Sequence, residues 1–152
     1  MKMKCVSVII AAALASAILA GCGGSSAVSL KDGTYEGKSE IHENEGEDGS
    51  DEGNGYGVVN ITVEDGIISE CEYKTYEPDG TLKDENYGMK QGSVANKDYF
   101  NKAQKAVAAC DEYASMLVAN GSLDGIDAIS GATINYNEFI EAVENALGEA
   151  AG

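Results

Sequence analysis

Arginine and tryptophan are absent from this 152-residue chain, and proline and histidine occur once each, at Pro78 and His42. All positive charge is therefore lysine: 10 Lys stand against 26 Asp plus Glu, a formal charge of −16. Such a surface repels phosphate backbones and anionic lipid heads, which excludes a nucleic-acid role and favours cationic partners. A single histidine in an acidic segment, with no metal-type cysteine spacing, argues against a zinc or haem centre. Long apolar runs are also missing after residue 21, so no segment beyond it has the length of a membrane span.

One apolar run is present, at the start. Met1–Lys4 is short and basic, and Cys5–Ala20 is apolar and Ala-rich. That is the form of a secretory signal, too short for a confident span. It ends in Leu19-Ala20-Gly21-Cys22, which resembles the lipobox of bacterial lipoproteins. The resemblance implies cleavage after residue 21 and lipid on Cys22. The domain would then sit at the outer face of the bacterial cytoplasmic membrane. Residues 22–30, with Gly23-Gly24-Ser25-Ser26, read as a flexible tether. Residues 31–149 are expected to form one domain. Within it only Cys71 and Cys110 remain, in a compartment that permits disulfides. Both fall on core faces, and pairing and two separate buried thiols both stay open.

The mature chain reads as strands followed by helices. Lys31–Ser39 begins with a turn and continues as a short strand. Residues 40–54 are rich in Glu, Asp, Gly and Asn, and read as a solvated loop. Its spacing does not fit an EF-hand. Gly57–Val63 and Ile67–Glu77 alternate as two strands joined at Asp65-Gly66, a dipeptide suited to a tight hairpin. In the second strand Cys71, Tyr73 and Thr75 share the core face. Residues 83–95 read as a loop. Asn96 or Asp98 is expected to cap a helix to about Ala119, stopped by Asn120-Gly121. Phe100, Ala103, Val107, Cys110, Ala114 and Leu117 form its apolar stripe. A second helix is expected from about Tyr136 to Leu147, with Asn135 as cap and Glu138 at capping-box spacing. The pattern predicts an α+β fold: a small, mainly antiparallel sheet packed with two C-terminal helices.

Between the helices stands Asp127-Ala128-Ile129-Ser130-Gly131-Ala132-Thr133. This resembles the signature of the FMN-binding domain family, found also in subunits of sodium-translocating quinone reductases. Asp127, Ser130, Gly131, Ala132 and Thr133 match it residue by residue. Upstream, Asp32-Gly33-Thr34-Tyr35-Glu36-Gly37, Gly55-Tyr56-Gly57 and Val63-Glu64-Asp65-Gly66-Ile67-Ile68 are similar to the family as well. The stretch from Asp79-Gly80 to Lys83-Asp84-Glu85-Asn86-Tyr87-Gly88 resembles its extracellular lipoprotein members. The resemblance implies that a flavin transferase moves FMN from FAD onto the Thr133 hydroxyl, as a phosphodiester. Asp127 would belong to the pattern that enzyme recognises, or serve as a turn carboxylate.

A phosphodiester keeps one negative charge, which a nearby helix N-terminus stabilises. Gly131 lets the backbone bend and Ala132 leaves room beside the acceptor. Without tryptophan, the flavin ring must rest on tyrosine or phenylalanine, and Tyr56 and Tyr87, each beside glycine in a loop, are the candidates. No residue set suggests a separate acid, base or nucleophile. The expected function is an electron carrier between a membrane redox donor and a membrane or extracellular acceptor. The competing expectations are a flavin-free lipoprotein module binding calcium or a cationic partner, and a small flavin reductase.

Overall fold

The computed structural model describes residues 29–43 and 53–152. The signal segment, Cys22 and most of the acidic loop lie outside the described residues. Three strands, β1 (Gly33–Lys38), β2 (Tyr56–Glu64) and β3 (Ile67–Tyr76), precede two helices, α1 (Lys97–Asn120) and α2 (Thr133–Ala151). The sheet is antiparallel throughout, in the order β1-β2-β3. The fold is α+β with both helices C-terminal, as the sequence pattern predicts.

Alternation dictates the core face of the sheet. Val59, Ile61 and Val63 of β2 are buried, and the intervening side chains are partly exposed. Asp65 and Gly66 both take positive φ, 53° and 74°, so the β2–β3 hairpin twists with its strands. One irregularity matters next to that turn. The register slips between Thr62 and Val63, so Val63 faces Ile68 while Thr62 faces Glu70. The bulge adds one residue to β3 and brings Ile68 into the core, where strict alternation would have put Ser69.

Both helices cover this face, α2 against β1 and β2 and α1 against β3. Tyr113 and Leu117 of α1 meet Phe139, Val143 and Ala146 of α2 in one buried cluster. The approach of α2 to the sheet is very close at Gly37. A Cβ there would stand 1.9 Å from the Ala142 carbonyl oxygen. Helix α1 starts as predicted: Asn96 accepts from the Tyr99 amide at 3.0 Å, and Gly121 closes the other end at φ 70°. Residues 83–95 form turns and isolated bridges, a loop as expected. Leu30, at the end of the expected tether, packs against the core.

The start of α2 differs from the sequence expectation. The helix begins at Thr133, not near Tyr136, and its cap position is Ala132, without a side-chain cap. Asn135 and Glu138 are therefore not a capping box. Both lie inside the helix and both are buried. Asn135 instead ties α2 to α1, donating to the Ala106 carbonyl at 3.1 Å and to Cys110 Sγ at 3.5 Å. A buried amide with such partners is worth more inside than at a solvated cap, and tertiary context wins. Cys71 and Cys110 form no disulfide. Burial pushes the Cys71 thiol up to about 12, helped by Glu72, and raises Cys110 as well, so both are protonated and inert.

Candidate flavin site

The segment 127–133 is folded around one phenol. Tyr113, fully buried on α1, donates from its hydroxyl to the Ala132 carbonyl at 3.2 Å. The same hydroxyl accepts from the Ile129 amide at 2.8 Å. Ala132 N–H donates to the Ile129 carbonyl at 2.9 Å, closing the turn. Tyr136, one turn into α2, donates to the Ile126 carbonyl at 3.0 Å. Gly131 sits at φ 85°, a conformation that other residues adopt only under strain. Buried Ile126 and Ala132 anchor the segment, and Asp127, Ser130, Gly131 and Thr133 are left exposed between and beside them.

Thr133 is thus the first helical residue, closer to the helix end than the sequence suggested. The Tyr136 amide bonds to Ala132 at 3.0 Å, so the amides of residues 133–135 precede the intrahelical ladder. They supply donors and a positive dipole end where an ester on Thr133 would stand.

Beside Thr133 opens a cavity of about 350 Å³. Gly131, Ala132, Thr133, Ile134 and Asn135 form one wall. Tyr99, Lys102, Ala103, Ala106 and Val107 of α1 form another. Thr75, Lys83, Tyr87 and Gly53 complete it. Gln104 holds the Tyr87 side in place, donating to the carbonyls of Asp84 at 3.1 Å and Tyr87 at 2.9 Å. Gly88, at φ 90°, lets that loop cross α1. A Cβ there would lie 2.9 Å from the Ala103 methyl.

The cavity brings together Thr133, Ala132, Gly131 and Tyr87 of the residues singled out from the sequence. Asp127 and Ser130 stand in the adjoining turn and do not line it. Tyr56 does not line it either: its ring stacks on Tyr76 at 5.4 Å, with the Lys38 ammonium 3.7 Å above it. Gly57 makes room for the Tyr73 ring and the Glu138 stem, not for a ligand.

The lysines escaped the sequence reading. Lys83 and Lys102 line the cavity, and the Lys105 stem passes nearby, its Cδ 3.8 Å from where a Gly131 Cβ would be. These are three of the eight lysines after residue 22. Among the described residues that line the cavity, the charged side chains are Lys83 and Lys102, opposite in sign to the chain as a whole. Nothing in the spacing of 83, 102 and 105 reveals it, because residue 83 follows β3 and the other two lie on α1. Lys83 is 7% exposed, its ammonium donating to the Gly53 carbonyl at 3.3 Å and lying 5.2 Å from the Tyr87 ring centre.

Aromatic and aliphatic walls, clustered cations and an open helix end fit a flat, phosphate-bearing ligand, and the volume is in the range of small-molecule sites. The family comparison agrees. The family model of the FMN-binding domain matches residues 52–148. A crystal structure of a Clostridium perfringens protein is 25% identical, covering 80% of this chain and 88% of that one, with a TM-score of 0.54. A solution structure of a Clostridium thermocellum protein is 26% identical over 80% of this chain and 92% of that one, with a TM-score of 0.40. No match was found among curated proteins. With its signature segment, its cavity and a family match over most of its length, the chain belongs to the FMN-binding domain family, and FMN is its cofactor.

Proposed function

We propose that this protein is a lipid-anchored electron carrier at the outer face of the bacterial cytoplasmic membrane, with FMN joined to Thr133 through a phosphodiester. The observation that carries the reading is the position of Thr133. It is exposed, it opens α2, and it lines the cavity. In the attachment step the Thr133 hydroxyl oxygen attacks the FMN phosphorus of FAD and AMP leaves, with the hydroxyl proton passing to solvent or the transferase.

The chain's own residues then have separable roles. Thr133 carries the ester. The amides of the first α2 turn and Lys102 and Lys105 compensate its charge. Tyr87 and Tyr99 offer faces for a planar ring, and Ala103, Ala106 and Val107 exclude water from one side of it. Bound FMN supplies the redox chemistry, and the protein supplies position and electrostatics. Among the described residues no carboxylate, imidazole or thiol lines the cavity, which favours a carrier over a reductase. Lipid on Cys22 would keep the domain near a membrane donor, and residues 22–30 would give it reach toward an acceptor.

Co-expression with a flavin transferase tests this directly. The denatured protein should fluoresce as a flavin on a gel and gain the mass of an FMN ester on the peptide bearing Thr133. Thr133→Ala should abolish both. An unlabelled wild-type protein in the presence of active transferase refutes covalent attachment.

A further inference from the structure

One buried carboxyl group on α2 is used by none of these roles. Glu138 is fully buried, and among the described residues neither of its oxygens has a hydrogen-bond partner. It sits one and a half turns from Thr133 on the same helix. Two glycines make its niche. Gly57, on β2, carries the Glu138 Cβ 3.1 Å from where its own Cβ would be. Gly55, two residues earlier and so on the same face, holds the Lys83 ammonium 2.9 Å from the equivalent point. The Glu138 stem and the Lys83 ammonium therefore stand over the same strip of backbone, where neither glycine carries a side chain. Lys83 belongs to both environments, because it also lines the cavity.

The groups around Glu138 come from every neighbouring element. Lys83 follows β3, and His42 follows β1, bridged to Gly55. Glu141 is the next acidic residue on α2, 3.6 Å from His42 Nε2. Tyr73 of β3 and Cys110 of α1 also feel the Glu138 charge. Tyr73 donates its proton to the Asn135 carbonyl at 2.7 Å and stays neutral, and the Cys110 thiol is protonated. Glu141 opposes ionisation of Glu138, whereas Lys83 and His42 favour it. Desolvation outweighs them and pushes the Glu138 carboxyl up to about 7. His42 and Glu141 are both partly exposed, so solvent is near on their side.

We propose that Glu138 is a proton-holding positioning residue that, with Lys83, couples negative charge arriving in the cavity to uptake of one proton from solvent. The inference rests on reading the cavity as the flavin site. When Glu138 is ionised, its charge and that of Lys83 offset each other, and the cavity feels little of the ammonium. Negative charge in the cavity repels the carboxylate and competes for Lys83. Glu138 then takes a proton: one O–H bond forms, a solvent acid gives up its proton, and no electrons move at this group. The part of the Lys83 field that the carboxylate had offset is thereby released toward the cavity. The added charge comes from a reductant acting on the flavin, dithionite in the test below.

Two measurements decide this. In the apo protein, carbon-13 shifts of labelled glutamate carboxyls follow Glu138, assigned through bonds to its own backbone amide and checked by its loss in Glu138→Gln. Its midpoint should stand well above the ordinary carboxylate range. Thr133→Asp, which places a negative charge at the cavity, should raise it by about one unit. Lys83→Met should raise it too, which gives a reading even if Glu138→Gln does not fold. A midpoint in the ordinary carboxylate range, or one unmoved by either substitution, overturns the proposal. In the flavinylated protein, dithionite reduction in weak buffer at about pH 7.5 should take up more protons per flavin than in Glu138→Gln. Equal uptake overturns it. The apo measurement contains no flavin, so failure to flavinylate Thr133 would refute the carrier reading and leave this result standing.

Discussion

Glu138→Gln also measures what a buried, unpartnered carboxyl costs the fold. The group is at 0% exposure and its ordinary value of 4.5 is pushed up to about 7. In the unfolded chain it ionises near the ordinary value. Between the two, the folded state holds a proton that the unfolded state has released, so stability falls as pH rises through this window. About 2.5 units at about 1.4 kcal/mol each give roughly 3 kcal/mol lost by about pH 8. Glutamine matches the neutral acid in shape and cannot ionise. Its constant difference from wild type reflects the amide group alone. The informative quantity is therefore the difference between variant and wild type as a function of pH. Urea unfolding of both apo proteins between about pH 4 and pH 8 gives it. The variant should gain on the wild type by roughly 3 kcal/mol across that range, a shift of about 1–3 M in relative midpoint for typical slopes. All other acidic groups are common to both proteins and cancel. A difference that stays flat from acid to mild alkali would show that Glu138 ionises normally, and the account of its niche would be wrong.

Tyr113→Phe removes the hydroxyl that binds Ile129 N–H and the Ala132 carbonyl. The ring stays packed on Phe139, so the loss should be about 1–3 kcal/mol. It should loosen the 127–133 turn selectively, seen as faster amide exchange there and slower flavinylation of Thr133. Gly37→Ala puts a methyl 1.9 Å from the Ala142 carbonyl oxygen, where backbone cannot yield cheaply. The substitution should cost about 3 kcal/mol or more and show as a lowered melting temperature. A change below about 0.5 kcal/mol would mean that α2 stands farther from the sheet than described.

Much of the fold was legible along the chain. Alternation in β2 and β3, Asp65-Gly66 between them, and Asn96 and Gly121 around α1 are local signals, and each acts through its own backbone. The start of α2 was misread because Asn135 has the chemistry of a cap. Its amide finds Ala106 and Cys110 across the fold, and no local rule can weigh partners that arrive from another helix. Tyr56 and Tyr87 looked equivalent, each a tyrosine next to a glycine. Only packing separates them: one stacks on Tyr76, and the other is held at the cavity through Gln104.

The strand pattern, the helices and the signature segment ending in Thr133 could be read along the chain, because periodicity, turn residues and a short motif are properties of neighbouring positions. The tertiary structure alone decided what surrounds that threonine. It gathered Lys83, Lys102 and Lys105 from two separate segments against the chain's overall charge, and it closed Glu138 into a niche beside one of them. Field and desolvation depend on distance in space, and separation along the chain does not report it.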